Sequence, residues 1–135
     1  MTRYIKMTYP KYKKSKHEPS LTVETNLTLP DNNETLETNE TAELTIRITN
    51  TGKGKAQGIE TFIEKKNSSE GLIINNPEII RSLNPGESKT VKATIFASDM
   101  MISQQISLSV IITEYFGHDA PLSKNLSLKT KSLTS

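Results

Sequence analysis

The chain lacks cysteine and tryptophan, and aromatic residues make up only 5% of it. The missing cysteine excludes disulfides, thiolate zinc sites and a cysteine nucleophile. The hydrophobic fraction is 33%, and with so few aromatic residues the core must be built from aliphatic side chains. At 135 residues the chain has the length of one domain with a substantial core.

Long hydrophobic runs are also missing. No apolar stretch approaches the roughly 18 residues that a membrane-spanning helix needs. The first residues carry no apolar segment of the kind that follows the basic residues of a secretory signal. The sequence as given therefore predicts no signal peptide and no transmembrane segment. The localisation stays open: the protein would be cytoplasmic as it stands, and extracellular if the chain is a fragment of an exported protein.

No stretch has the period of 3.6 that is typical of a helix, whereas several alternate apolar and polar residues with a period of two. In residues 42–49, Ala42, Leu44, Ile46 and Ile48 share one face, which predicts a half-buried strand. Gly52 and Gly54 follow it, and we expect both to use φ > 0 in a turn. Further strands are expected at residues 21–29, 56–64, 72–74, 79–83, 91–97, 106–112 and 122–129. Seven or eight strands separated by turns predict an all-β fold, an antiparallel β-sandwich, with a jelly roll or a small barrel as alternatives.

One polar segment interrupts this alternation between the first two strands. Residues 33–41 contain a single large apolar residue, Leu36. A polar segment of this length is expected to cross from one sheet to the other. We therefore predict a crossing at this point with Leu36 as a plug between the sheets.

Positive charge is concentrated at the start of the chain. The net charge is +2, but residues 1–19 carry six basic side chains and a single acid, Glu18. Low hydrophobicity with dense like charge predicts a flexible tail over residues 1–19, a domain over 20–130 and a short flexible tail over 131–135. The alternative is an arm that binds nucleic acid or anionic lipid. Its candidate residues are Arg3, Lys6, Lys11, Lys13, Lys14 and Lys16.

Three segments resemble a known pattern. They are residues 44–56 (LTIRITNTGKGKA), 83–91 (LNPGESKTV) and 113–120 (TEYFGHDA). The first two resemble prokaryotic immunoglobulin-like domains of the cell-adhesion-related type called CARDB, and the third resembles the end of similar domains appended to bacterial multidomain proteins. The resemblance implies an immunoglobulin-like β-sandwich that acts as a spacer, adhesion or interaction module in a larger bacterial assembly. It implies no catalytic residue.

A search of the sequence for catalytic or metal-binding motifs finds little. His17 and His118 are far apart, and His118-Asp119 could pair a base with an orienting acid but has no companion nucleophile. Residues 24–43 are acidic but lack the ligand spacing of a calcium loop, so calcium binding there stays open. The glycines of residues 52–55 are not followed by a helix that could hold a phosphate. The sequence therefore predicts no enzyme, no cofactor and no metal site.

Two phenylalanines depart from the alternation of their strands. Phe62 and Phe96 are each expected to point away from the aliphatic face, which makes them candidate partner-binding residues. The alternative is a register irregularity or an edge strand. The predicted partner is another protein or a neighbouring domain. A cell-surface adhesion or carbohydrate-binding module is the rival, although scarce aromatics and absent tryptophan count against it. The oligomeric state stays open.

Overall fold

The computed structural model describes residues 17–66, 70–120 and 124–133. In these ranges the chain forms nine strands and a short 3-10 turn, and no α-helix. The strands are β1 (Leu21–Thr28), β2 (Leu36–Glu37), β3 (Thr41–Asn50), β4 (Ala56–Lys65), β5 (Leu72–Asn75), β6 (Ile80–Leu83), β7 (Ser88–Ala97), β8 (Gln104–Thr113) and β9 (Lys124–Lys131). The predicted all-β class is confirmed.

The strands form two sheets that pack face to face. Sheet 1 has the order β1-β3-β7-β5, and sheet 2 has the order β2-β9-β8-β4-β6. Neighbours pair antiparallel except β2 and β9, which are parallel. Between β5 and β6 the chain changes sheets, because β5 pairs with β7 and β6 pairs with β4. The predicted β-sandwich is therefore confirmed, with one short parallel pair added.

The core lies between the inner faces of the two sheets and is aliphatic, as predicted. The inward side chains of β3, an internal strand of sheet 1, are all buried, and those of β8 in sheet 2 face the same core. Each buried leucine or isoleucine contributes about 1.5–3 kcal/mol relative to an exposed one. The β3 and β8 members are Ala42, Leu44, Ile46, Ile48, Ile106, Leu108, Val110 and Ile112.

Leu36 is buried between the sheets as predicted, but the course of the chain before and after it differs from the prediction. Its side chain is completely buried, and Leu36 and Glu37 pair with Thr130 and Lys131 of β9 in sheet 2. The expected crossing is wrong in one respect: β1 pairs with β3 along the whole of β1, so the chain reaches sheet 2 and returns to sheet 1. Strand β2 also raises the strand number above the predicted seven or eight, because two residues are too few to show an alternation.

The six basic residues of the predicted N-terminal arm lie outside the described residues, as do Leu122 and the last two residues. The tail and its proposed nucleic-acid or lipid contacts therefore stay predictions. The described part of the chain contains no helix long and apolar enough to cross a membrane.

Replacing Leu36 by alanine should destabilise the fold strongly. The substitution would leave a cavity in a fully buried position, which costs about 2–5 kcal/mol of unfolding free energy. Urea unfolding measures the change. Leu133→Ala is the matched control because Leu133 is exposed, and it should shift stability by less than about 0.5 kcal/mol. Equal losses of unfolding free energy in both variants would contradict the role of Leu36 as a buried core residue between the sheets.

Candidate functional site

The two phenylalanines predicted to bind a partner lie on opposite outer faces of the sandwich. Phe62 is on β4 in sheet 2, opposite Ile111 of β8, and its side chain is 42% exposed. Phe96 is on β7 in sheet 1, half-buried, opposite the exposed Ile73 of β5. Both point away from the core as predicted. They cannot form one patch, and a role for either one in binding stays a prediction.

One end of the sandwich is organised around Asn50, the last residue of β3. Its side chain is completely buried, and its amide nitrogen donates to the carbonyls of Gly54 at 2.8 Å and Leu83 at 2.9 Å. Its amide oxygen accepts from the N–H groups of Ser20 at 3.1 Å and Gly52 at 3.0 Å. One side chain thus joins the start of β1, the β3–β4 turn and the end of β6. We call this the Asn50 end.

The segment that precedes β1 lies against the β3–β4 turn at this end. The N–H groups of Lys53 and Gly54 both donate to the Glu18 carbonyl at 3.1 Å. A Cβ atom on Gly54 would overlap the His17 carbonyl oxygen. Positive φ, expected for Gly52 and Gly54, is therefore not the reason for glycine here, and neither residue has it. Glycine is required because another backbone passes too closely for a side chain.

A loop at the same end is anchored by a buried carboxylate. The Glu114 side chain is 1% exposed, and its Oε2 accepts from the Gln57 N–H at 2.9 Å. Its Oε1 accepts from the N–H groups of Phe116 and His118, both at 3.0 Å, and lies 3.0 Å from His118 Nδ1. Residues 114–119, called here the aromatic loop, are thereby fixed to the start of β4.

These contacts also explain how a buried carboxylate stays ionised. Burial alone would raise the pKa of Glu114, but hydrogen bonds from the Gln57 N–H, the His118 N–H and ring, and the Phe116 N–H outweigh it. The net effect holds the pKa of Glu114 below its ordinary value. The negative charge is therefore balanced by donors inside the fold, so it can serve as an anchor.

The anchored loop presents two aromatic side chains to solvent. Tyr115 is 78% exposed and Phe116 is 61% exposed. Their rings are 4.9 Å apart and meet edge to face at 89°. Gly58, at φ +58°, lies beneath, where a Cβ would come within 2.9 Å of the Tyr115 Cβ. Sequence reasoning did not single out this pair, because it treated residues 113–120 as part of a family resemblance. Two adjacent aromatics between a strand and Gly-His-Asp were the available signal.

The paired histidine and acid considered in the sequence do not form a catalytic couple. Glu114, rather than Asp119, contacts the His118 ring, and Asp119 Oδ1 accepts from the Glu114 N–H at 2.8 Å. On its other side, His118 Nε2 lies 4.0 Å from Glu18 Oε1. The cluster therefore ties residues 17–20, the start of β4 and the aromatic loop together. Within the residues that the structure describes, no three His, Asp or Glu side chains converge to hold a metal ion.

A comparison with known protein families identifies the family of this domain. The CARDB family profile matches residues 18–114, which is most of the domain described above. The chain belongs to the CARDB family. The family resemblance noted in the sequence is thus confirmed, and a search of curated proteins finds no match.

Solved structures show the same fold at low sequence identity. The solution structure of a CARDB domain from Pyrococcus furiosus matches with a TM-score of 0.60 and 13% identity, over 85% of this chain and 97% of that one. A crystal structure of that CARDB domain in complex with di-metal ions matches with a TM-score of 0.52 and 16% identity, over 91% and 98%. A β-glucosidase from Listeria innocua matches with a TM-score of 0.53 and 17% identity, over 89% of this chain but 17% of the enzyme.

Replacing Asn50 by alanine should destabilise the domain by about 2–4 kcal/mol. The N–H groups of Ser20 and Gly52 and two carbonyls would lose their buried partner, and each unsatisfied group costs about 1–3 kcal/mol before relaxation. Thermal and urea unfolding measure the loss. Asn26→Ala, on the exposed face of β1, is the matched control and should be nearly neutral. A neutral Asn50→Ala would show that the Asn50 end is held by other contacts.

Replacing Glu114 by glutamine should destabilise the domain in a pH-dependent way. Because the folded pKa is lowered, the stabilisation is present above the ordinary glutamate pKa and is lost as pH falls through the folded value. The variant should lose about 2–3 kcal/mol near pH 7, where charged hydrogen bonds are replaced. The gap between the two proteins should narrow as the pH falls below the ordinary glutamate pKa.

Urea unfolding across that pH range tests the Glu114 prediction. Glu60→Gln, an exposed change on the same sheet, is the control and should track the unmodified protein at every pH. A difference between Glu114→Gln and the unmodified protein that is constant with pH would show that ionisation of Glu114 is not the anchor.

Proposed function

We propose that this chain is a non-catalytic immunoglobulin-like module that binds another protein, with the aromatic loop as its main contact. The observation that carries the proposal is the exposed pair Tyr115 and Phe116 on a loop fixed by the buried Glu114 carboxylate. A larger bacterial assembly is the expected context, as for other immunoglobulin-like modules.

The anchoring of the loop supports binding energetically. Fixing the backbone of a mobile loop costs about 1–2 kcal/mol for each residue that is ordered. Here the backbone on both sides of the rings is already held: the Phe116 N–H by Glu114 and the Tyr115 N–H by the Gln57 carbonyl at 2.9 Å. Tyrosine is also among the residues that most often dominate protein interfaces. The loop backbone therefore adds little entropic cost when the rings are buried against a partner.

The geometry of the rings favours a protein surface over a carbohydrate. A sugar ring stacks on a flat, accessible aromatic face, whereas Tyr115 and Phe116 meet edge to face at 89°. Two rings at right angles form a wedge, which fits between side chains of a protein partner. The rival reading as a carbohydrate-binding module therefore gains no support from this loop.

The proposal includes no catalytic step, cofactor or metal. His118 is engaged by Glu114 and lies beside Glu18, so its role here is to hold the loop. The β-glucosidase similarity covers a small part of that enzyme, which is consistent with an accessory position for such a fold within a longer protein. If the loop binds no partner, the alternative function is that of a spacer between neighbouring domains.

Photo-crosslinking locates the contact directly. A benzoylphenylalanine at position 116 should crosslink to a discrete protein in a lysate of the source cells, and the same group at position 62 or 96 should not. The captured protein is then purified and titrated against the unmodified chain. Phe116→Ala should weaken this binding at least tenfold, about 1.4 kcal/mol or more.

Two variants distinguish the loop from the sheet faces. Phe62→Asp and Phe96→Asp each place a charge on an outer sheet face outside the aromatic loop, and neither should change the affinity for the captured protein by more than about twofold. Loss of binding with either one, while Phe116→Ala binds normally, would move the contact to that face. No crosslink from any of the three positions would leave spacing as the function.

A further inference from the structure

Strand β7 is only partly covered on one of its two edges. On one side, residues 88–96 pair with β3. On the other side β5 pairs with residues 94–97 alone. After Asn75 the chain leaves sheet 1, and the Asn76 side chain accepts a hydrogen bond from the Ile63 N–H of β4 at 3.0 Å. The departing segment is thus fixed to sheet 2, and no described strand pairs with residues 88–93 on this side.

The alternation of backbone direction shows which groups face the uncovered edge. The Ala97 N–H donates to the Glu40 carbonyl and its carbonyl accepts from the Asn39 N–H, so Ala97 points to the β3 side. Ser98 donates to the Gly71 carbonyl on the β5 side. The registers contain no bulge, so direction alternates strictly along β7. The N–H and C=O groups of Thr90 and Lys92 therefore face the uncovered edge.

A groove runs along this edge. It is lined by Glu78, Thr90, Val91 and Lys92 and has a volume of about 270 Å³. Val91 points towards the core, but unlike Ala93 and Ile95 further along the same face it is only half-buried. An apolar side chain supplied from outside would complete this corner of the core. The groove therefore combines an open apolar position with two sets of outward backbone groups, spaced as in a strand, about 6.8 Å apart.

We propose that this groove binds an extended peptide segment of a partner protein as an added strand of sheet 1. Thr90 and Lys92 would each exchange N–H and C=O hydrogen bonds with the peptide backbone, continuing the sheet where β5 ends. An aliphatic peptide side chain opposite Val91 would pack inward, and its polar neighbours would face solvent. The ligand class is thus a polypeptide in β conformation with an apolar residue between two polar ones.

The other edge of the same sheet is a poorer site for a peptide. On β1 the inward residues Leu21 and Val23 are already buried, and only Leu27 towards the end of the strand is partly buried. The outward Glu24, paired with Arg47 at 3.6 Å, also places charge beside that edge. The edge at residues 88–93 differs because an added strand there would continue the line of β5 and fill the groove beside Val91.

A titration with a capped hexapeptide of sequence TEVTVT tests the proposal by amide NMR of the isotope-labelled chain. Saturable shifts are expected at the amides of Thr90 and Lys92, with a Kd below about 1 mM, and their hydrogen exchange should slow at least tenfold. Absence of shifts at these amides with several millimolar peptide, or shifts confined to β1, would overturn the proposal.

Two matched pairs separate backbone pairing from simple contact. Hexapeptides N-methylated at residues 1, 3 and 5 or at residues 2, 4 and 6 differ only in which edge loses its donors, and one pattern should weaken binding at least tenfold more than the other. Lys92→Pro removes an edge-facing N–H without removing a bond to β3 and should abolish binding, whereas Lys92→Ala should bind normally. Equal effects within the peptide pair would overturn the proposal even if Lys92→Pro fails to fold.

Two further outcomes identify the occupant. Phe116→Ala should bind the hexapeptide normally, because the aromatic loop is a separate surface, so the two proposals can fail independently. If sedimentation shows a dimer that Lys92→Pro dissociates, the groove holds a second copy of this chain and the peptide proposal is overturned.

Discussion

The buried amide of Asn50 is the interaction on which the end of the sandwich depends. A carboxamide offers two donors and two acceptor positions, and placing it in a core is costly unless they are used. Here the amide nitrogen donates to the carbonyls of Gly54 and Leu83, and the amide oxygen accepts from the N–H groups of Ser20 and Gly52. Segments far apart in the chain must therefore meet in one geometry, and alternative registers would leave the amide unsatisfied.

Glu114 extends the same principle to a surface loop. Its carboxylate is buried only because the N–H groups of Gln57, Phe116 and His118 converge on it. The start of β4 supplies one of these donors and the loop supplies the others, so the loop is defined by the packed sheet beneath it. Two buried polar groups at one end thus give a rigid platform for Tyr115 and Phe116. The proposed binding role depends on this rigidity as much as on the exposed rings.

The change of sheet between β5 and β6 leaves part of a sheet edge open, whereas the buried polar groups fix one end of the sandwich. It completes sheet 2 with β6 but leaves β7 half covered in sheet 1. Asn76 holds the crossing segment on β4, so the chain itself does not close this edge. A half-buried Val91 and the outward backbone groups of Thr90 and Lys92 are the result. The aromatic loop and this groove would allow one small domain to contact a protein surface and a peptide separately.

Every strand except β2, and the face that each of them buries, could be predicted from the amino-acid pattern, because alternation with a period of two is a local property of the chain. The alternate, inward residues of β3 from Ala42 to Ile48 and of β8 from Ile106 to Ile112 are buried, as that pattern predicts. Leu36 was also predictable, since a lone apolar residue in a polar segment has few other places to go. The immunoglobulin-like family pattern was visible in the same strands and turns.

The sites depend on contacts between distant segments, which form only when the chain is folded. Phe62 and Phe96 point outward as predicted, but strand order places them on opposite sheets. Gly54 is needed because the His17 backbone passes close by, a contact between segments that sequence spacing does not reveal. Nothing in the sequence distinguishes Glu114 from a solvent-exposed acid, because its burial depends on the contact with Gln57. Burial of a polar group, and the edges that remain open, depend on which distant strands meet, and that is fixed by packing rather than by any local pattern.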